Sequence, residues 1–139
     1  MSYGTSVTVR AQFADTVARV REALAGQGFG VLTEIDVTAT MQARLGQQME
    51  DYVILGACNP RLAHRALDVQ RAIGLLLPCN VVVRAATDGG TVVEALDPQV
   101  MVTLTGRDEL KPVADEVSHR LAAALATLSA GGDSDEERA

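Results

Sequence analysis

Residues 80–97, Asn-Val-Val-Val-Arg-Ala-Ala-Thr-Asp-Gly-Gly-Thr-Val-Val-Glu-Ala-Leu-Asp, decide the fold class of this chain. Two runs rich in β-branched side chains, Asn80 to Ala86 and Thr91 to Asp97, flank Asp88, Gly89 and Gly90. Valine and threonine suit a pleated, half-buried surface, and the glycines supply the positive φ that tight turns demand. The pattern predicts an antiparallel β-hairpin. A purely parallel, doubly wound sheet would not contain one, because parallel neighbours need long crossover connections.

Outward from the hairpin, strand and helix patterns alternate. Tyr3 to Arg10 reads as a strand, and Phe13, Val17, Val20 and Leu24 then fall at helical spacing, ended by Gly26 and Gly28. Phe29 to Val37 returns to strand character, with Val31, Thr33, Ile35 and Val37 on one face and Leu32, Glu34 and Asp36 on the other. Thr38 is placed to cap a short helix carrying Met41 and Leu45 and closed by Gly46. Asp51 to Ala57 is apolar enough for a central strand. Asn59 supplies an N-cap and Pro60 the favoured first helical position, so a helix is expected from Pro60 to about Ile73, stopped by Gly74. Its apolar stripe is Leu62, Ala66, Val69 and Ile73. Residues Pro98 to Gly106 favour neither state, and Asp108 to Leu128 forms a last helix with Val113, Val117, Leu121, Ala124 and Leu128 inward. The sum is an α+β protein, a two-layer sandwich of helices on a mainly antiparallel sheet. One domain over residues 1–130 is expected, with a disordered, charge-dense acidic tail over 131–139.

Composition narrows the function classes. The 139 residues suit one domain with a real core. A net charge of −6, with two Tyr, two Phe and no Trp, argues against nucleic-acid binding, since both phosphate attraction and base stacking are poorly provided for. No apolar run approaches the roughly 20 residues of a membrane span, and Met1 to Arg10 lacks a signal-peptide pattern, so a cytoplasmic protein without membrane attachment is expected. In that compartment the two cysteines stay reduced more often than they form a structural disulfide.

Tyr52 to Pro60, together with Leu77 to Val83 and with Gly28, Phe29, Val31, Leu32, Glu34, Ile35 and Asp36, resembles the domain-of-unknown-function 302 family over roughly residues 5 to 128. The resemblance rests on three blocks in the right order. It implies an α+β fold related to the TATA-binding-protein-like arrangement, and a homodimer, and it implies no established activity.

The candidate chemistry gathers at Cys58, which ends a strand and precedes Asn59 and Pro60. A thiol beside the unpaired N–H groups of a helix N-terminus can be held as thiolate, and Arg61 adds positive potential, so the same place could receive a small anionic or apolar ligand. Tyr52 shares a strand face with Cys58, and Glu34 with Asp36 sets two carboxylates on one face, a pattern that serves acid–base work or plain exposure. Equally, Cys58 could fill a small buried space while Asn59 and Pro60 merely cap. A helix of about 14 residues running straight from Pro60 carries the chain about 21 Å, which keeps Cys58 and Cys79 apart. They pair only if the helix lies obliquely and Gly74 to Pro78 returns the chain, or across a dimer. Cys58, Cys79, His64 and His119 match no zinc spacing, and His64 is better placed to pair with Asp68 one turn on. No nucleophile triad or phosphate loop is present in the sequence, and no cofactor is identified. Three functions stay open: a homodimeric binding or sensing module centred on Cys58, a thiol redox or metal or haem protein using Cys58 and Cys79, and a purely structural dimerisation unit.

Overall fold

The structure, a computed structural model, describes residues 3–132. Five strands form one sheet in the order β1-β5-β4-β3-β2, every neighbouring pair antiparallel. They are β1 (Gly4–Val9), β2 (Gly30–Asp36), β3 (Tyr52–Cys58), β4 (Cys79–Ala85) and β5 (Thr91–Leu96). The helices are α1 (Phe13–Gly26), α2 (Val37–Leu45), α3 (Pro60–Val69), α4 (Val100–Thr105) and α5 (Lys111–Gly132). Of the tail expected over 131–139, residues 131 and 132 are the last of α5, and 133–139 lie outside the described residues.

The hairpin forms β4 and β5, with Val83 opposite Val93 and Ala85 opposite Thr91. Its turn closes as the Ala86 N–H donates to Gly90 O at 2.8 Å, and the Asp88 carboxylate accepts from the Gly90 N–H at 3.2 Å. Gly89, at φ 95°, occupies the left-handed position that a β-carbon would strain. Alternation along these strands sorts the two faces. Val53, Leu55, Ala57, Cys79, Val81, Val83, Val93 and Ala95 are buried, whereas Tyr52, Ile54, Val82, Arg84, Val92 and Glu94 between them are only part-buried. Helices α1 and α5 pack on each other and on the sheet, and α3 packs against α5. The inward stripe of α5 (Val113, Val117, Leu121, Ala124 and Leu128) is buried as its spacing requires.

Four local expectations give way to packing. Between Val31 and Thr33 the register with β3 shifts, so Val31 faces Ala57 but Thr33 faces Gly56 and Ile35 faces Ile54. Directly opposed residues share a face, so the bulge at Leu32 sends Val31, Glu34 and Asp36 to the helix side and Thr33 and Ile35 to the open side. Strict alternation had put Val31 with Thr33 and Ile35. The cap of α2 is Asp36, whose carboxylate accepts from the Ala39 N–H at 2.9 Å. Thr38 instead accepts from the Tyr52 N–H at 2.8 Å and donates to Glu50 O at 2.7 Å, fastening α2 to β3. Pro98 to Gly106 resolves as α4, closed by Gly106 at φ 68°. The helix begun at Pro60 ends at Val69, short of Ile73: Gln70 is extended and Arg71–Leu76 winds into a 3-10 turn that keeps Ile73 buried.

Candidate functional site

That early ending builds the site. Asn59 caps α3 by accepting the Leu62 N–H at 3.2 Å, and Pro60 takes the first turn, so the chain leaves β3 and folds over the sheet at once. Because α3 is only ten residues long, the 3-10 turn and Leu77-Pro78 return the chain beside its own start. Cys79 then lies opposite Ala57 in the β3–β4 ladder, on the helix face, one residue along from Cys58, which alternation sets on the face of Tyr52 at the strand's end. The straight path that would separate the cysteines by the length of a long helix does not occur. The oblique return does.

The two cysteines share one cavity of about 20 Å³. Phe29, Leu62, Ala66, Met101, Val113 and Val117 wall it from the core, and Asn59, Ala63, Leu77 and Pro78 complete it near the surface. Cys79 is buried and Cys58 half-buried at the rim. The space matches a single small occupant such as one water or one ion, and its walls are apolar. Met101 and Val113 come from α4 and α5, some forty and more residues away in sequence, and no pattern around Cys58 announces them.

Burial decides the state of both thiols. Desolvation pushes the Cys58 thiol up from its ordinary value of 9.0. Cys79 is pushed up to about 11, first by desolvation and then by the neighbouring charge that Cys58 would carry. A helix N-terminus favours a thiolate, but here removal from water outweighs it, so both groups are neutral thiols at pH 7. The thiolate expected at Cys58 is not supported.

Of the other residues singled out in the sequence, Arg61 is exposed and does not line the cavity. Tyr52 stands at the far end of β3, opposite Arg84, on a groove of about 230 Å³ across the open sheet face with Tyr3, Asn80, Val82, Glu94 and Leu96. Glu34 binds the Arg21 guanidinium of α1 and Asp36 caps α2, yet both carboxylates line one cavity of about 290 Å³, with Asp51 and Tyr52, away from Cys58. His64 pairs with Asp68 (Nδ1 to Oδ2, 3.5 Å) on the exposed face of α3, and His119 is exposed on α5. A different cation approaches the cavity mouth. Arg120 donates from Nε to Glu116 at 2.8 Å and from Nη1 to Gln27 O at 3.0 Å, next to Gly28. A β-carbon on Gly28 would stand 2.9 Å from Asn59 Nδ2, and its φ of 85° disfavours a side chain as well. Both of these bonds engage Arg120 within the protein, which leaves the cavity without a cationic lining group.

Among the described residues, no group of three or more His, Cys, Asp or Glu side chains is placed to hold a metal, and no helix is long and apolar enough to cross a membrane. Residues 5–128 match the family described as Domain of unknown function DUF302. A crystal structure of an uncharacterized conserved DUF302 protein from Bacillus stearothermophilus is similar at 32% sequence identity and a TM-score of 0.85, covering 92% of this chain and 99% of that one. No functionally curated protein matches the sequence.

Proposed function

The chain belongs to the DUF302 family, and from that premise we propose that it is a small binding module whose working groups are the thiols of Cys58 and Cys79, two residues on one cavity. One observation carries this reading: the fold shortens α3 and bends the chain back, so that two cysteines 21 positions apart meet on one cavity. The cavity's apolar walls and small volume weigh against an organic anion as occupant. They suit an occupant that sulfur recognises. The thiols have unequal access, with Cys58 at the rim and Cys79 behind it. Native alkylation with iodoacetamide, followed at each site by mass spectrometry, is therefore expected to label Cys58 first. At pH 7 a thiol at about 11 holds roughly a hundredfold less thiolate than one at 9.0. Cys79 should therefore lag a model thiol by at least about that factor. If Cys58 reacts no faster than Cys79 in the folded protein, both cysteines are packing groups and the reading is lost.

A second reading, homodimerisation, draws support from the sheet face that the helices leave uncovered. Ile35 is 50% and Tyr3 63% exposed there, beside part-buried Ile54, Val82, Val92 and Leu96. Five strands about 4.8 Å apart and about 20 Å long present on the order of 500 Å² of flat area. Two such faces bring about 1,000 Å² together, the total that a specific interface should clear. The occupant is a second copy, face to face, with the part-buried Arg84–Glu94 pair (2.9 Å) near the centre. Sedimentation equilibrium is expected to give a dimer that Val82→Glu converts to monomer. A wild-type monomer at tens of micromolar would remove this reading and leave the thiol reading intact.

A further inference from the structure

We propose that the free edge of β2 receives an extended, basic peptide segment as a sixth strand of the sheet. β2 pairs with β3 on one side and ends the strand order, so no strand satisfies the backbone groups along its outer side. Six of its seven residues are exposed, Leu32 at 65% and Ile35 at 50% among them. Such an edge is a template for another chain unless something blunts it. Proline and lysine, the usual guards, are missing from β2, and past the shift at Leu32 the stretch from Thr33 to Asp36 keeps regular register. Neither thiol takes part, so the outcome leaves the cysteine reading untouched.

Charge selects the occupant. Glu34 and Asp36 stand on the helix side and, with Asp51, line the cavity of about 290 Å³ that Phe13 and Val17 wall from α1. Arg21 engages Glu34, while among the described residues no cation pairs with Asp36 or Asp51. A residue added opposite Glu34 or Asp36 shares their face, so its side chain enters this cavity. Lysine and arginine fit it at both ends: the aliphatic stem lies on Phe13 and Val17, and the cationic head reaches the carboxylates and the Phe13 ring. Residues between the bases fall on the open side beside Ile35, where apolar, β-branched side chains suit the pleat. The edge therefore reads an alternation of base and apolar residue. A second copy of β2 fits poorly, because antiparallel self-pairing gathers two carboxylates from each copy on one seam, and like charges opposed across strands destabilise. The other edge, β1, carries no charged side chain and offers a basic segment no such partner.

The test titrates the peptide Thr-Lys-Val-Arg-Val-Lys-Thr, blocked at both ends, into the full chain at low salt. Calorimetry reads the affinity and amide hydrogen exchange reads the place. The expected result is binding, with protection gained by amides within Thr33 to Asp36 and none in β1. In an added strand alternate peptide N–H groups face the edge, and main-chain hydrogen bonds supply the affinity. N-methylation of the frame that faces β2 should therefore abolish binding, and N-methylation of the other frame should leave it intact. Asp36→Asn keeps the α2 cap, since asparagine caps as well as aspartate, and should weaken binding by the roughly 1.5- to 5-fold that a cross-strand ion pair contributes. Adding Asp51→Asn should weaken it further. Equal binding by the two methylated frames would reduce the contact to charge attraction and overturn the proposal, as would no binding at millimolar peptide. Protection of β2 that grows with protein concentration in the absence of peptide would assign the edge to a second copy and overturn it as well.

Discussion

Gly56→Ala is expected to destabilise the protein by about 3 kcal/mol, at the upper end of what overpacking costs. Gly56 is buried in β3, between Thr33 on β2 and Asn80 on β4. A β-carbon there would stand 2.2 Å from Thr33 Oγ1 and 2.8 Å from Pro78 Cγ, both inside the distance that real atoms accept. The two clashes differ in stiffness. Thr33 lies on an edge strand and is exposed, so its hydroxyl can rotate away, although its methyl then turns toward the same space. The Pro78 ring is fixed in the segment that leads into β4 and cannot yield without moving Cys79. A double-mutant cycle separates the terms. Gly56→Ala with Thr33→Ala should recover on the order of 1 kcal/mol over Gly56→Ala alone, read by denaturant midpoints at constant m-value. The remaining loss reports on Pro78. Since Pro78 lines the cavity, Gly56→Ala should also speed alkylation of Cys79 in the folded state. A Gly56→Ala variant as stable as wild type would mean that Pro78 is free to shift, and the cavity would not be the rigid enclosure its walls suggest.

How much of this was legible in the sequence depends on how local the deciding physics is. The hairpin could be read because its turn chemistry and its valine-rich arms lie within 18 consecutive residues. The Asn59 cap and Pro60 start could be read for the same reason, and the α5 stripe because its 3.6-residue periodicity runs unbroken from Val113 to Leu128. Three things were not legible. The bulge at Leu32 is a matter of register against β3, and nothing within β2 itself signals the extra residue. The end of α3 at Val69 runs against an apolar spacing that continues to Ile73. Ile73 does reach the core, but from a 3-10 turn, because the chain must turn back to enter β4. The guanidinium of Arg107, which donates to Val69 O at 3.2 Å from the far side of α4, satisfies a carbonyl left open at that early end. The common cavity of Cys58, Cys79 and Met101 follows from these long-range events. Periodicity gave each its strand or helix and could not bring the three together. Tyr52 and Glu34 illustrate the converse. Both lie in blocks that carry the family resemblance, yet neither joins Cys58: they line another cavity beside the start of β3, where an ion pair also fixes Glu34 to α1.

Stability is expected to fall as pH rises through the interval from about 9 to about 11, and Cys79 is the reason. Its thiol ionises near 9.0 when freed from the fold and near 11 within it, because burial and the adjacent Cys58 oppose the charge. Below pH 9 both folded and unfolded chains hold the proton, and the group adds no pH dependence. Between the two values the unfolded chain loses its proton while the folded chain keeps it, so the unfolded state binds fewer protons and the slope of unfolding free energy with pH is negative. Above about 11 both are ionised and the slope from this group ends. Two pH units correspond to a loss on the order of 2–3 kcal/mol, and Cys79 is buried enough that solvent screening takes little from it. Cys58, half-buried and also pushed up, contributes in the same direction and less. Chemical denaturation at intervals from pH 7.5 to 11 on wild type and Cys79→Ala checks this. Cys79→Ala should begin lower, having lost a packed sulfur, and then decline less steeply, so that the two curves converge toward pH 11. Parallel curves would mean that Cys79 titrates alike in both states. A thiol with that behaviour would have to reach water, and the burial of Cys79 behind Cys58, on which the thiol reading stands, would be lost.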